Sequence, residues 1–188
     1  MKFVELSIPG CYEIVPTIFR DLRGSFVKTF HQGLFEAQGL ATEFAEEFYS
    51  LSYRNVVRGL HFQVPPKDLT KVVYALVGEA MDVLVDLRKG SPMFGRYAVC
   101  ELDAAKANMV YIPSGVAHGF YARSEQVLMV YKVSAVYSPE HDSGIRWDSL
   151  DIPWPCNEPI ISDRDRNLVP FESFESPFSF CAGGVDGR

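Results

Sequence analysis

The chain has 188 residues and a net charge of −6, from 18 Lys and Arg against 24 Asp and Glu. Its length fits one domain, and hydrophobic and charged fractions of 47% and 22% exclude a disordered or collagen-like chain. No apolar run approaches the about 20 residues of a membrane helix, and the N-terminus lacks signal-peptide features, so we expect a cytoplasmic protein without a membrane partner. The negative net charge argues against nucleic-acid binding.

Short strands dominate the predicted elements, since β-branched and aromatic runs alternate closely with Gly, Pro and Asn or Asp, as in a sandwich or barrel. Val72–Val77 and Ala80–Arg88 flank Gly78-Glu79 and predict a β-hairpin. In the second arm, alternation places odd-numbered residues such as Val83 on an apolar face. Even-numbered residues such as Asp82 form a partly polar face.

Three further strands are predicted in the second half of the chain. Residues 110–112 form a short strand that ends at a Pro-Ser-Gly turn, and residues 119–121 resume pairing beyond it. The run 127–137 predicts a longer strand. Because Tyr131 and Tyr137 are separated by an even number of residues, they face the same side.

Helical signals are weak and short, at 33–39 and at 162–167. Frequent prolines interrupt any long element after the barrel. We expect a single domain, 1–188, made of a barrel core at about 14–150, an irregular C-terminal wrap at 151–176 and a frayed tail at 177–188.

The densest cluster of polar groups lies at 58–63, Arg-Gly-Leu-His-Phe-Gln, followed by Lys71. A lone strand histidine is more often hydrogen-bonded than functional, so His61 by itself is a modest indication of chemistry. Strict alternation puts Arg58 and His61 on opposite faces. If both contact a ligand, the strand must bulge at Gly59, or Arg58 must reach a ligand at the barrel mouth or near a partner chain.

Metal binding has little support in the sequence. His61 and His118 could approach each other across a barrel, but no His-x-His pair is present. No CxxC pair occurs among the four cysteines, Cys11, Cys100, Cys156 and Cys181. We expect thiols in a reducing compartment, no metal and no other cofactor.

Two other features admit a structural and a functional interpretation. Tyr131 and Tyr137 fit ordinary strand packing, or they supply an acid beside a histidine. Residues 161–166 fit a solvated charged turn in which Ser162 caps a short helix, and Asp165 gains a role only if it meets a histidine.

Taken together, these segments resemble the dTDP-4-dehydrorhamnose 3,5-epimerase family over residues 14–165. The segments are RGLHFQ (58–63), GEAMDVLVDLRKGSPMFG (78–95), IPSGVAHGF (112–120), VYKVSAVYSP (130–139) and WD with IPWP (147–155). The resemblance implies an all-β, cupin-type antiparallel β-barrel (jelly roll) with short peripheral helices, assembled as a homodimer. It also implies metal-free epimerisation of a nucleotide-diphosphate sugar, a 4-keto-6-deoxyhexose, at C3, C5 or both.

The resemblance assigns four catalytic roles. His61 matches the base and Asp165 its carboxylate partner, while Lys71 matches the cation that stabilises the enolate. Tyr131 matches the acid that returns a proton to the opposite ring face. These residue types suit removal of a proton next to a ketone.

The resemblance also assigns substrate-binding positions, and some of them depart from the family pattern. Positions that match fall on Arg23, Arg58, Gln63, His118 and Tyr137. Glu46 and Phe48 stand in a segment where the family usually has Gln-Asp-Asn, Lys28 replaces a glutamate, and Asp142 and Arg164 are milder changes. We infer intact proton chemistry with altered recognition, so a CDP- or GDP-linked sugar remains an alternative to a dTDP-linked one.

Three other functions remain open. A non-catalytic sugar-binding cupin needs no base, cation and acid together. A ketoisomerase lacks support because the His-Phe-Gln that follows Arg-Gly-Leu does not contain a second histidine. A metal-dependent oxygenase ranks last. The leading hypothesis is an epimerase that makes a deoxysugar for a surface polysaccharide or a glycosylated metabolite.

Overall fold

The structure is a computed structural model and describes residues 1–181. Within this range the chain forms thirteen strands, two short α-helices and one 3-10 helix. The strands are β1 (Lys2–Glu5), β2 (Tyr12–Val15), β3 (Ile18–Asp21), β4 (Gly24–Val27), β5 (Glu46–Tyr53), β6 (Val57–Gln63), β7 (Lys71–Val77), β8 (Glu79–Asp86), β9 (Tyr97–Asp103), β10 (Met109–Ile112), β11 (Val116–Ala122), β12 (Gln126–Val133) and β13 (Asp142–Gly144). The helices are α1 (Gln32–Ala37), α2 (Asp163–Arg166) and the 3-10 helix Phe171–Ser173.

Two antiparallel sheets make up the body of the molecule. The six-stranded sheet has the order β1-β2-β10-β7-β12-β5, and the five-stranded sheet has the order β13-β6-β11-β8-β9. Strands β3 and β4 form a separate two-stranded sheet. Strands that are distant in sequence are neighbours in both sheets, which confirms the predicted all-β jelly-roll barrel with short peripheral helices.

The largest apolar cluster lies between the sheets and explains the predicted alternation. It includes four residues of β12 that lie on one face of the strand: Val127, Met129, Tyr131 and Val133. From β8 it takes Leu84, whereas the odd-numbered residues of that strand belong to a second cluster. Both faces of β8 are therefore buried beyond its first residue, and Asp82 and Asp86 lie on the same face as Leu84.

The outer face of each sheet has its own cover. Helix α1 packs Phe35 against the outer side of the six-stranded sheet, in a cluster with Tyr74 and Tyr111. Aromatic residues after β13, among them Trp147 and Phe174, cover the five-stranded sheet. Part of the outer face of each sheet is thus buried, which stabilises the barrel that holds the cavity described below.

The predicted hairpin at 72–88 is wrong, although its two strands exist. Strand β7 pairs with β10 and β12, while β8 pairs with β9 and β11, so the two arms lie in different sheets. The chain crosses between the sheets at Gly78, whose φ is +78°. A glycine turn between two apolar strands has the same sequence pattern whether the strands pair or separate.

The predicted boundaries differ from the structure at both ends. The six-stranded sheet begins at Lys2, well before the expected start of the barrel at about residue 14. Within the expected frayed tail, Phe178 is buried, and the Lys89 N–H donates to its carbonyl. An apolar ring that fills the outer cluster holds this segment in place, and the rest of the predicted tail, 182–188, lies outside the described residues.

Candidate active site

A cavity of about 310 Å³ lies between the two sheets. Strands β5, β7 and β12 form one wall, and β6, β11 and β13 form the other. Eleven of the fourteen predicted site residues line it: Glu46, Phe48, Arg58, His61, Gln63, Lys71, His118, Tyr131, Tyr137, Asp142 and Arg164. Sequence-distant residues therefore converge on one cavity.

His61 and Asp165 form a hydrogen-bonded pair at the wall formed by the five-stranded sheet. His61 Nε2 lies 2.7 Å from Asp165 Oδ1, and the Gly59 N–H donates to Asp165 Oδ2 over 3.1 Å. Burial acts to raise the pKa of Asp165, but these bonds and the charges of His61 and Arg164 hold it below its ordinary value. The carboxylate is thus ionised and accepts a hydrogen bond from Nε2–H, which leaves Nδ1 of a neutral His61 able to take a proton.

Burial also lowers the pKa of His61, and the Asp165 hydrogen bond offsets only part of this shift. A histidine that is neutral near pH 7 can act as a base at once. Helix α2 places the carboxylate, because the Asp165 N–H donates to Oγ of the capping residue Ser162. The predicted cap at Ser162 and the predicted meeting of Asp165 with a histidine are both confirmed.

Strand β6 departs from regular alternation next to this pair. Its register with β11 shifts between His118 and Phe120, and Gly59 has a φ of +133°. Consequently, Arg58 and His61 both line the cavity. The predicted break at Gly59 is confirmed.

Lys71 lies beside the histidine, at the start of β7. Its Nζ donates to the His61 carbonyl over 3.0 Å, and burial lowers its pKa to about 8. A lysine with this pKa carries a charge at neutral pH and loses it readily above pH 8. It supplies a cation at the cavity wall.

Tyr131 faces the cavity from the opposite sheet. Burial raises the pKa of its phenol, so the group keeps its proton at neutral pH. Its ring stacks on Phe48 with a centroid distance of 4.9 Å, and its hydroxyl lies 3.4 Å from Ser50 Oγ. At neutral pH the phenol is therefore in the form that can donate a proton to a more basic acceptor.

A second histidine–carboxylate pair lies deeper in the barrel. His118 Nε2 is 2.7 Å from Asp82 Oδ2, and both side chains are almost completely buried. Burial raises the pKa of Asp82, and its Oδ1 has no hydrogen-bond partner among the described residues. The sequence pattern placed Asp82 on a partly polar face without a role, although a carboxylate on a core strand was a signal that it needs a partner.

Three charged or polar side chains cluster at the far end of the cavity wall. The Tyr137 hydroxyl donates to Asp142 Oδ2, which also pairs with the Arg164 guanidinium at 2.7 Å. The nearby Asp142 charge raises the pKa of Tyr137. The Tyr137 N–H donates to Glu46 Oε2, so four predicted residues form one connected group.

Gln63 and Arg58 line the cavity while being anchored to the protein itself. The Gln63 amide donates to the Lys67 carbonyl and accepts from the Ser138 N–H, so it joins the loops on either side of the cavity. Arg58 donates from Nε to Ser52 Oγ, which directs its guanidinium. Sequence reasoning missed Ser50 and Ser52 because a serine on a strand carries no distinctive pattern.

Comparison with known proteins identifies the family. Residues 5–173 match the family model of dTDP-4-dehydrorhamnose 3,5-epimerase. A dTDP-4-dehydrorhamnose 3,5-epimerase from Methanothermobacter thermautotrophicus is 41% identical over 90% of this chain and 94% of its own length. The chain belongs to the dTDP-4-dehydrorhamnose 3,5-epimerase family.

Solved structures of epimerases have the same fold. The Legionella pneumophila epimerase, in complex with dTDP-4-keto-L-rhamnose, has a TM-score of 0.91 and 31% identity, covering 96% of this chain and 99% of its own. A 3′-monoepimerase from Streptomyces bikiniensis, in complex with dTDP-quinovose, has a TM-score of 0.81 and 32% identity, covering 87% of this chain and 85% of its own. Since the chain resembles both a double and a single epimerase, likeness alone does not fix how many centres are inverted.

Two predicted binding residues lie away from the cavity of this epimerase-family chain. Arg23 follows β3 and pairs with Asp21 at 2.7 Å, with 91% of its side chain exposed. Lys28, just after β4, is also exposed. Both lie next to the strands of the two-stranded sheet and line no part of the cavity formed by their own chain.

Residues 1–181 contain no group of three or more His, Cys, Asp or Glu side chains placed to hold a metal ion. The four cysteines, all within this range, are free thiols. In the same range, no helix has the length and apolar character of a membrane span.

Proposed function

We propose that this chain inverts C3, C5 or both of a dTDP-linked 4-keto-6-deoxyhexose by removing and returning a proton next to the ketone. One observation carries the proposal. His61, a neutral base, lies on the five-stranded sheet, and Tyr131, a protonated acid, lies on the six-stranded sheet across the same cavity. A sugar ring bound between the sheets meets a base on one face and an acid on the other, which is the arrangement that inversion requires.

The reaction starts when His61 takes a proton from the carbon next to the ketone. The electron pair of that bond becomes an enolate, with the negative charge on the former ketone oxygen. Lys71, charged at neutral pH and held at the His61 carbonyl, stabilises this oxygen. Tyr131 then donates its proton to the opposite face of the carbon, and solvent restores both groups.

The remaining polar residues of the cavity supply recognition. Guanidinium groups bind diphosphate through paired N–H donors, and we assign this role to Arg58 and Arg164 at the exposed part of the cavity. His118 provides a buried polar contact for the sugar. Gln63, whose amide is committed to backbone groups, shapes the cavity by fixing its loops.

A homodimer would give Arg23 and Lys28 a role. Their two-stranded sheet carries exposed apolar side chains, and Phe19 and Phe26 are each about 60% accessible. Exposed aromatic residues on a small sheet favour burial against another chain. We assign Arg23 and Lys28 to the cavity of the partner subunit, where their positive charges would face the nucleotide-diphosphate sugar.

A sugar-binding protein without catalysis is the rival function. His61→Asn removes the base but keeps a polar side chain of similar reach. We expect the turnover rate to fall by about 100- to 10,000-fold, because a positioned general base contributes that much. The dissociation constant for dTDP, measured by calorimetry, should change little.

The matched control is His31→Asn, at an exposed histidine outside the cavity, which should retain full turnover. Unchanged turnover in His61→Asn would eliminate His61 as the base. Binding of dTDP without turnover by the wild-type protein, on any 4-keto-6-deoxy sugar offered, would favour the sugar-binding function.

A further inference from the structure

Phe48 forms the closest ring contact of the proposed acid. It is the direct cross-strand partner of Tyr131, with Phe48 on β5 and Tyr131 on β12. The two rings lie 4.9 Å apart between centroids and are tilted by only 13°. Phe48 is 45% exposed, so its ring contributes less to the core than to the surface of the cavity.

The hydroxyl of Tyr131 makes a weak hydrogen-bond contact with the described residues. Its contact with Ser50 Oγ is 3.4 Å long, beyond the range of about 2.5–3.0 Å for a good O–H···O bond. The ring of His118 also lies near the Tyr131 ring in an edge-on arrangement, with centroids 6.0 Å apart and an interplanar angle of 71°. The orientation of the phenol therefore depends on ring packing rather than on a strong hydrogen bond.

A stacked neighbour restricts the rotation that matters most for this phenol. The Cβ–Cγ torsion of tyrosine has a broad energy profile, so an isolated ring turns over a wide range at low cost. A flat ring stacked at 13° blocks that rotation, since any turn of Tyr131 would drive its edge into Phe48. Together, Phe48 and His118 restrict the rotation of the Tyr131 ring.

We infer that Phe48 is a positioning residue that holds the Tyr131 phenol in line with the carbon that receives its proton. This inference rests on the proposed epimerase function and adds a residue through which the acid acts. Once the enolate has formed, two outcomes compete: return of a proton from the His61 side, which restores the substrate, and donation by Tyr131, which inverts the centre. Phe48 favours the second outcome.

The ratio of these outcomes separates positioning from a merely structural role. In deuterium oxide, exchange into recovered substrate counts the enolates protonated from the His61 side, and inverted product counts those protonated by Tyr131. Loss of folding or of substrate affinity lowers both counts together. Misplacement of the phenol lowers only the inverted product.

The test compares Phe48→Leu and Phe48→Asn with the wild-type protein, using dTDP-4-keto-6-deoxyglucose and proton NMR. An aromatic pair contributes enough to change the ratio of inverted product to exchanged substrate by about two- to tenfold when it is lost. We expect a decrease of this size in both variants. Phe48→Tyr keeps the stacked ring and should restore the wild-type ratio.

Tyr49→Ala is the matched control, because it removes the next aromatic residue of β5, which is 71% exposed and lines no part of the cavity. Its ratio should equal that of the wild-type protein. An unchanged ratio in either folded variant, Phe48→Leu or Phe48→Asn, overturns the positioning role while leaving the epimerase function intact. Absence of exchange and inversion in the wild-type protein overturns both.

Discussion

At the scale of single residues, burial gives the base and the cation complementary charge states. Burial lowers the pKa of His61 below its ordinary value of 6.5 and lowers that of Lys71 to about 8. Between these two values the imidazole is neutral and the ammonium is charged. In the proposed mechanism, proton removal by His61 and enolate stabilisation by Lys71 therefore operate together near neutral pH.

The pH dependence of kcat/KM should be bell-shaped. Activity rises as His61 loses its proton, with the acidic limb below pH 6.5, and falls as Lys71 loses its proton near pH 8. In Lys71→Arg the cation stays charged, because a guanidinium has a pKa above 12. We expect this variant to be less active and its alkaline limb to move above pH 10 in initial-rate measurements.

Lys67→Arg, a nearby exposed lysine outside the cavity, is the control and should keep the wild-type profile. An alkaline limb that remains near pH 8 in Lys71→Arg would assign that limb to another group.

The sequence led to a prediction of four catalytic residues but not of the contacts that support them in the structure. His61, Lys71, Tyr131 and Asp165 could be named because the motifs around them resemble those of a known family. Asp82 could not, because its partner His118 lies on the neighbouring strand β11, and strand order is not evident from local pattern. Supporting contacts of this kind depend on which strands meet.

At the scale of elements, the irregularity of β6 determines which residues of that strand line the cavity. Gly59 lets the strand bulge, brings Arg58 and His61 to one cavity, and directs its N–H to Asp165. A Cβ at this position would lie 2.5 Å from Gly119 Cα on β11. The site thus needs a glycine for both its dihedral angle and its close approach to the neighbouring strand.

Gly59→Ala should therefore be strongly destabilising. Gly24→Ala is the matched control, since Gly24 has a similar φ of +120° but no atom within 4 Å of an added Cβ. We expect the loss in free energy of unfolding for Gly59→Ala to exceed that for Gly24→Ala by about 1–3 kcal/mol, the usual cost of overpacking. Urea denaturation at one fixed protein concentration measures the difference.

If Gly59→Ala and Gly24→Ala lost equal free energy of unfolding, β6 would be able to move away from β11 without an energetic cost. The sequence allowed two ways for Arg58 and His61 to contact one ligand, a bulge at Gly59 or an Arg58 that reaches the barrel mouth or a partner chain, and β6 has the bulge. Alternation correctly predicted which residues of β8 share a face, and did so for β12 up to Val133, where the strand ends instead of continuing to Tyr137 as predicted. The hairpin predicted from the turn at Gly78 is wrong, because that turn joins two sheets instead of two paired strands.

At the scale of the whole molecule, the two-sheet architecture separates base from acid. The covers on the outer faces, α1 on one side and the C-terminal aromatic residues on the other, leave the space between the sheets for the cavity. The resemblance predicted the jelly roll correctly. It did not predict where the C-terminal segment packs, because a proline-rich chain has no periodicity to indicate its contacts.

The proposed homodimer can be tested by complementation between two inactive variants. Arg23→Ala should impair the cavity of the partner subunit, and His61→Asn should impair the cavity of its own chain. Co-expression at equal amounts yields mixed dimers in which one cavity carries both changes and the other carries neither. We expect about one quarter of the wild-type turnover, with dimers verified by light scattering.

If Arg23 acted within its own chain, each mixed dimer would have two impaired cavities, and co-expression would restore no turnover. A monomer in light scattering would contradict the assembly itself. Pairing His61→Asn with Tyr131→Phe is the control, because both changes lie in one chain's own cavity and should not complement each other.

The most direct test of the central claim is proton exchange catalysed by the wild-type protein. Incubation of dTDP-4-keto-6-deoxyglucose in deuterium oxide, followed by NMR, reports solvent deuterium at C3 and C5, and CDP- and GDP-linked sugars tested in parallel identify the nucleotide. We predict deuterium at one or both carbons together with inverted product, and the carbons labelled give the number of centres. Binding without exchange at either carbon, for every sugar offered, would contradict the claim that His61 and Tyr131 carry out an epimerisation.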